Sequence, residues 1–456
     1  MLDRRARELA APFLLALALV LASLPGEAGP NGAAGALRGR PALVRAGVHV
    51  LDARALGGLG RTEPALVFES ATPELRRLSR GDVIVAGVSP STPRGLLRRV
   101  TRVERDGGRL VVETAPGALE DLFWSARVRH RARMLPADIA VARPRVEGLT
   151  VPDAATRAWS PGPIEFELVD VVLFDADGDP ATTSDQARAT GTLGVEPSFD
   201  LDVDIAWGRV RRLQFTNTTR LCATLALDAR AAASFGHTVT VATVQFAPVT
   251  LMIGPVPLVL TPVLDVQVGA SGSVSAELRT SVTAATDVVA GLVYEDARWR
   301  GFSDLPDGLD DVDLDWSPPE ATGSAGVEVQ AGPQLTLLLY DIGGPYASVY
   351  GYTAAWAALE PPAWALDVGL RGSLGVAVRT PATGELARYG VEVFDQSWRV
   401  AGDPASRERD ATSRKTPRTA RRAAPTRTSA RRAAGARAPV VPTRSTKTAI
   451  VPHIVP

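Results

Sequence analysis

The sequence predicts a mainly all-β chain. A small β-rich N-terminal domain comes first, then a large antiparallel sandwich or open barrel, then a disordered basic C-terminal tail. Three observations predict it. Apolar and polar residues alternate with a period of two from Ile164 to about Val400, and no long stretch has a 3.6-residue period. Gly and Pro together supply 76 of 456 residues, more than the roughly one in eight of average chains, which implies many turns. From Ala401 onward Arg, Ala, Pro, Thr and Ser recur with almost no large apolar side chain until Val440, too little to offset chain entropy.

The chain divides into residues 1–28, a signal peptide; 29–41, a linker; 42–145, the small domain; 160–400, the large antiparallel domain; and 401–456, the tail. Arg4, Arg5 and Arg7 precede the apolar run Ala10 to Leu24, and Pro25, Gly26 and Ala28 follow it. That is a secretory n-region, h-region and small-residue cleavage pattern. The run is shorter than the ~20 residues that span a bilayer, so the expected location is secreted or on the cell envelope. Abundant Ala, Gly, Pro and Arg, with Lys415 and Lys447 the only lysines, suggest a GC-rich bacterial source. The formal charge is zero overall, but residues from 403 onward carry thirteen cations and three anions. An acidic body therefore bears a basic tail that could bind an anionic polymer, with no nucleic-acid specificity implied.

In the small domain, Asp82 to Ala86 reads as a short strand. Arg99 to Arg105 and Arg109 to Thr114 read as a hairpin about Asp106-Gly107-Gly108. Thr114 to Phe123 reads as a short helix with Thr114 near its N-cap. The runs Gly81-Asp82-Val83-Ile84-Val85, Pro93-Arg94-Gly95-Leu96-Leu97-Arg98-Arg99-Val100 and Val112-Glu113-Thr114-Ala115, with Ala118-Leu119-Glu120, resemble a module of uncharacterised secreted bacterial surface proteins over about residues 65–140. The resemblance implies export and β structure, and no catalytic residue. Residues 144–162 read as a loop. In the large domain Phe199, Leu201, Val203, Ile205 and Trp207 fall on one face, and Asp200, Asp202 and Asp204 on the other. Turns are expected at Gly254-Pro255, Gly269, Gly343-Gly344 and Pro361-Pro362.

The sequence contains no Gly-x-Ser-x-Gly elbow, no His-Glu-x-x-His helix, no Walker loop and no Cys pair, since Cys222 stands alone. His49, His130, His237 and His453 are far apart and read as surface or packed histidines. Asp200, Asp202 and Asp204 would lie ~6.5–7 Å apart on a strand face, a spacing that suits two-carboxylate sugar hydrolysis or a solvated face. Asp304, Asp307, Asp310, Asp311, Asp313 and Asp315 read as a solvated acidic loop. Tyr346, Tyr350 and Tyr352 share parity and would suit sugar binding if exposed. Asn217-Thr218-Thr219 matches a glycosylation acceptor. Asp175-Ala176-Asp177-Gly178-Asp179, with Asp185, offers alternate carboxylates to calcium, with Thr183 and Gln186 close enough to complete a shell. Asp175, Asp177, Asp179 and Asp185 are the expected ligands, although the loop departs from an EF-hand: Gly is fourth, Pro180 sixth and Gln186 twelfth.

The expected function is an exported non-enzymatic cell-surface or extracellular protein with a structural or binding role, its partner an extracellular polysaccharide or envelope component. Two alternatives stay open on the sequence. One is a carbohydrate-active hydrolase using the strand carboxylates. The other is an outer-membrane β-barrel, against which aromatics are only 5% of the chain and Pro255, Pro257 and Pro262 interrupt one run.

Overall fold

The alternating runs become antiparallel strands of up to 21 residues. The computed structural model describes residues 42–403 except 63–64, 152–161, 180, 231–233, 276, 360–361 and 381–383. Residues 1–41, where a signal peptide and linker are expected, and the residues beyond 403, His453 among them, lie outside the described residues.

The architecture is all-β, in three sheets. A six-stranded sheet has the order β2 (Val48–Val50), β5 (Val83–Ala86), β6 (Leu96–Asp106), β7 (Arg109–Pro116), β4 (Leu66–Phe68), β3 (Leu59–Arg61). Here β2 and β5 run parallel. A ten-stranded sheet follows the path β1 (Leu43–Val44), β8 (Phe123–Arg133), β12 (Gln186–Ala206), β13 (Arg209–Ala229), β17 (Leu278–Glu295), β18 (Arg298–Asp304). Off that path, β11 (Ile164–Asp175) pairs with β12 and with β10 (Leu149–Thr150), while β19 (Asp313–Trp316) and β20 (Glu320–Ala321) pair with β17. An eight-stranded sheet has the order β24 (Gly384–Gly402), β23 (Pro362–Thr380), β22 (Gly343–Leu359), β21 (Ala325–Leu339), β16 (Val256–Val274), β14 (Ser234–Phe246), β9 (Ile139–Pro144), with β15 (Val249–Ile253) on β16.

The two large sheets curl and pack face to face. Phe166, Phe199 and Phe215 from one meet Leu264, Val266 and Leu335 from the other in a continuous core. The small sheet has its own core around Phe68, Ile84 and Val112. Strand β5 is buried on both faces: Ile84 and Ala86 point into that small core, while Val83 and Val85 join the large one.

Several expectations change. Residues 123–144, assigned to the small domain, form β8 and β9, and these extend the two large sheets by pairing with β12 and β14. The hairpin strand β7 runs through Thr114, which pairs with Val100. The helix that follows is only the single turn Leu119–Leu122, where Asp121 accepts from the Ala118 N–H at 2.9 Å. A longer helix loses to ladder pairing by the β-branched and extended run Val111 to Thr114. Residues 149–150 are strand rather than loop. Gly269 lies inside β16 rather than at a turn, and β16 also passes through Pro257 and Pro262. Pro262 falls where the neighbouring ladder breaks, between Val263 opposite Gln245 and Leu260 opposite Val249, so its missing N–H is tolerated.

Phe215 is fully buried on β13, whereas Thr218 on the same strand is exposed. Phe215→Ala is expected to cost about 3–5 kcal/mol in urea unfolding through the cavity it leaves, and Thr218→Ala less than about 0.5 kcal/mol. Equal midpoints for the two variants would contradict the assigned core.

Candidate functional site

The loop between β11 and β12 gathers the expected calcium ligands only in part. Carboxylate oxygens of Asp175, Asp177 and Asp185 all lie within 4.8 Å of one another. Local geometry brings them there. Asp175 ends β11 opposite Gln186, and Gly178, at φ +75°, turns the chain back. Asp175 accepts from the Gly178 N–H at 3.0 Å and from the Gln186 amide at 3.0 Å. Asp185, on a short 3-10 turn, accepts from the Asp177 N–H at 3.2 Å through one oxygen, and its other oxygen is buried without a partner. The Asp179 N–H hydrogen bond is the main cause holding the Asp177 carboxyl below its usual range.

Asp179 falls outside this group, because its carboxylate caps the Ala181 N–H at 3.0 Å. Gln186 is also withdrawn as a ligand: its amide nitrogen faces Asp175 and its carbonyl oxygen accepts from Arg188 at 2.7 Å. Three converging carboxylates, one with a free buried oxygen, have the hard-oxygen chemistry that calcium takes.

The carboxylates of β12 sit in a different setting. Phe199, Leu201, Val203 and Ile205 point into the core, so Asp200, Asp202 and Asp204 do share the outer face. Opposite them on β8 stand Arg131, Arg129 and Arg127. Asp202 is bonded by Arg127 at 3.1 Å and Arg129 at 2.8 Å, and Asp200 by Arg131 at 2.8 Å; Arg133 pairs with Glu196. On the β13 side the facing residues are Thr216, Gln214 and Arg212. Burial alone would raise the Asp202 pKa, but the hydrogen bonds from Arg127 and Arg129 outweigh it and hold the carboxyl below its ordinary value. A hydrolase general acid needs the opposite shift and a second carboxyl across the face. Here arginines occupy that position.

The three described histidines sit on separate strands. The His130 ring packs 5.8 Å from Phe199, and desolvation lowers its pKa despite nearby Asp200. His49 contacts Asp82 at 3.2 Å. His237 lies on β14. Tyr346, Tyr350 and Tyr352 share a face of β22 as their parity predicts, but not as an exposed cluster. Tyr346 and Tyr352 are buried, Tyr346 lying across Gly375 and Gly390 and Tyr352 across Gly369, where any Cβ would collide. The Tyr350 and Tyr352 hydroxyls donate to Gln267 and Asp395, each at 2.8 Å. Burial first, then Asp395, raises the Tyr352 pKa. Asn217 is 1% exposed and donates to Thr219 at 2.8 Å, so the folded chain hides the glycosylation acceptor. Asp313 and Asp315 belong to β19 rather than to a loop.

Parity along β12 predicts an inward-facing Trp207. Instead Trp207 and Gly208, at φ +58° and +68°, form the two-residue turn between β12 and β13. Trp207 is 64% exposed and meets Trp124, 42% exposed, edge to face at 6.0 Å; the Arg45 guanidinium lies 5.8 Å from the Trp124 ring. The dipeptide Trp-Gly between two alternating runs was the available signal for this tip. Compared with known proteins, the chain matches no family model, no curated protein and no solved structure.

Two outcomes are expected. Millimolar calcium should raise the melting temperature of the wild type over chelator by at least about 2 °C, and Asp177→Ala should abolish the difference; an indifferent wild type leaves the turn as a turn. Because the Asp202 pKa is lowered on folding, its contribution is complete above the unfolded carboxylate pKa and fades as pH falls through the folded value. Asp202→Asn should therefore cost about 1 kcal/mol at pH 7 and nothing at strongly acid pH, read from urea midpoints. A pH-independent difference would contradict the ladder.

Proposed function

We propose that this chain is an exported, non-enzymatic cell-surface or extracellular β protein with a structural or binding role. The observation that carries the reading is the outer face of the ten-stranded sheet. Across one row the facing residues run Arg127, Asp204, Arg212, Glu295, Arg298, so charge alternates over five strands. A face built this way balances its own charge, and the β8 arginines hold Asp200, Asp202 and Glu196 beside it, which suits cohesion and contact more than proton transfer. The signal-like residues 1–28 and the resemblance to secreted bacterial surface proteins support export.

The contact element we assign is the tip formed by Trp207, Trp124 and Arg45. A bulky residue in the left-handed region is an outlier that costs stability, and such strain collects at functional sites. Arg209 and Arg211 are exposed beside it and make no ion pair among the described residues. Aromatic rings flanked by cations suit an acidic extracellular polysaccharide or an anionic envelope component.

Two measurements test this. Fractionation of the native host should place the protein in the medium or envelope, with an N-terminus near Gly29; cytosolic chain beginning at Met1 overturns export. On immobilised acidic polysaccharide, Trp207→Ala should weaken retention at least about fivefold with the melting temperature unchanged. Retention equal to wild type overturns the assigned tip.

A further inference from the structure

An apolar slot runs between the two large sheets. Its floor spans Leu221 to Leu227 of β13 and Thr280 to Thr286 of β17, about 20 Å at the rise of a strand. Ala223 and Ala284 stand opposite each other in that floor, and Ala331 and Gly351 lie in the roof. These four small side chains leave unfilled a space where the rest of the core interdigitates Leu, Val and Phe. The free volume is about 80 Å3 for the centre of a water-sized sphere. Its lining runs along about 20 Å of two paired strands, the length of an extended alkyl chain rather than of a compact ring. Cores close to crystal density do not keep such a channel without a reason, and apolar voids stay dry and accept apolar guests.

Along the free edge of β17, β18 stops opposite Val289 and β19 begins opposite Ala285, so residues 286–288 have no partner strand on that side. Segment 305–312 joins β18 to β19 past this gap, and its Val312 lines the slot. The hydroxyl of Thr286, also in the lining, is buried without a hydrogen-bond partner. Asp307, Asp310 and Asp311 are exposed on the covering segment and make no ion pair among the described residues.

We propose that the slot binds a single linear aliphatic chain, entering beneath segment 305–312 and leaving a cationic head group beside its carboxylates. The alkyl chain leaves bulk water for the dry slot, and the head escapes the repulsion that a carboxylate would meet there. This goes beyond the surface role proposed above and does not depend on it.

The test titrates the full-length protein with dodecyltrimethylammonium below its micellar concentration. Tryptophan fluorescence reports on the slot, because Trp398 lines it. Saturable one-to-one binding is expected, at least tenfold tighter than dodecanoate. Ala223→Phe and Ala284→Phe should each weaken it at least tenfold by filling the floor. Thr224→Phe, on the exposed opposite face of β13, should leave it unchanged. Circular dichroism and melting temperature show which variants fold, and either filled variant alone suffices. Non-saturable binding, or saturable binding indifferent to the filled floor, overturns the slot as the site. Equal affinity for dodecanoate overturns the head-group assignment.

Discussion

Register is the constraint on which the molecule depends. Strands of about twenty residues bury one face each, and a slip of a single residue would send every core side chain to solvent. Strand β12 pairs continuously with β13 from Ala187 opposite Ala229 to Asp204 opposite Arg212, and β13 with β17 from Arg212 opposite Glu295 to Ala229 opposite Leu278. Two-residue turns at Trp207-Gly208 and Asp296-Ala297, with positive φ at all four positions, set the offset at the hairpin tips. The arginines of β8 read it again along the strand: shifted by one residue, Arg127, Arg129 and Arg131 would face Leu201, Val203 and Ile205 instead of carboxylates. The ladder is thus a register device before it is anything else.

The same economy fixes the small sheet to the sandwich. Strand β5 feeds two cores, and the loops beside it close the contact. Gly95 sits against Val259 and Tyr340 so tightly that a Cβ would overlap both, Arg94 pairs with Asp341, and the Tyr340 hydroxyl donates to the Pro257 carbonyl at 2.5 Å. Tyr340 and Asp341 both take positive φ to reach these partners. Burial of Val83, Val85 and Leu97 in the large core makes the two parts mutually stabilising.

Legibility in the sequence followed the range of the interaction. Alternation is local, so the inner row Phe199 to Ile205 and the outer row Asp200 to Asp204 could be read directly, as could the hairpin at Gly107-Gly108. Partners are not local. Nothing within β8 says that its arginines face β12, seventy residues later, and so the strand was assigned to the nearest domain rather than to the sheet that uses it. Trp207 carried an inward parity that holds only while the strand continues; the turn ends the strand one residue earlier and reverses its exposure. Burial of Tyr346 and Tyr352 depends on glycines of the next two strands, Gly369 and Gly375 on β23 and Gly390 on β24, invisible to a parity count. In the acidic loop Asp175, Asp177 and Asp185 converge, while the Asp179 carboxylate accepts from the Ala181 N–H, a local contact that alternation does not reveal.

These same pairings determine where chemistry can reside. The outer face of the ten-stranded sheet is engaged in ion pairs. That of the eight-stranded sheet carries tyrosines laid over glycines, with Arg371 held between Glu328 and Asp395. The inner faces form the core. What remains uncommitted lies where ladders stop: the carboxylate loop after β11, the aromatic tip after β12, and the gap on β17 between β18 and β19. Backbone freed from pairing can present a side chain in a conformation no strand allows, as Trp207 does, or leave a channel no continuous sheet would leave. A sheet protein this tightly registered has little latitude within its strands, and so its candidate sites are its interruptions.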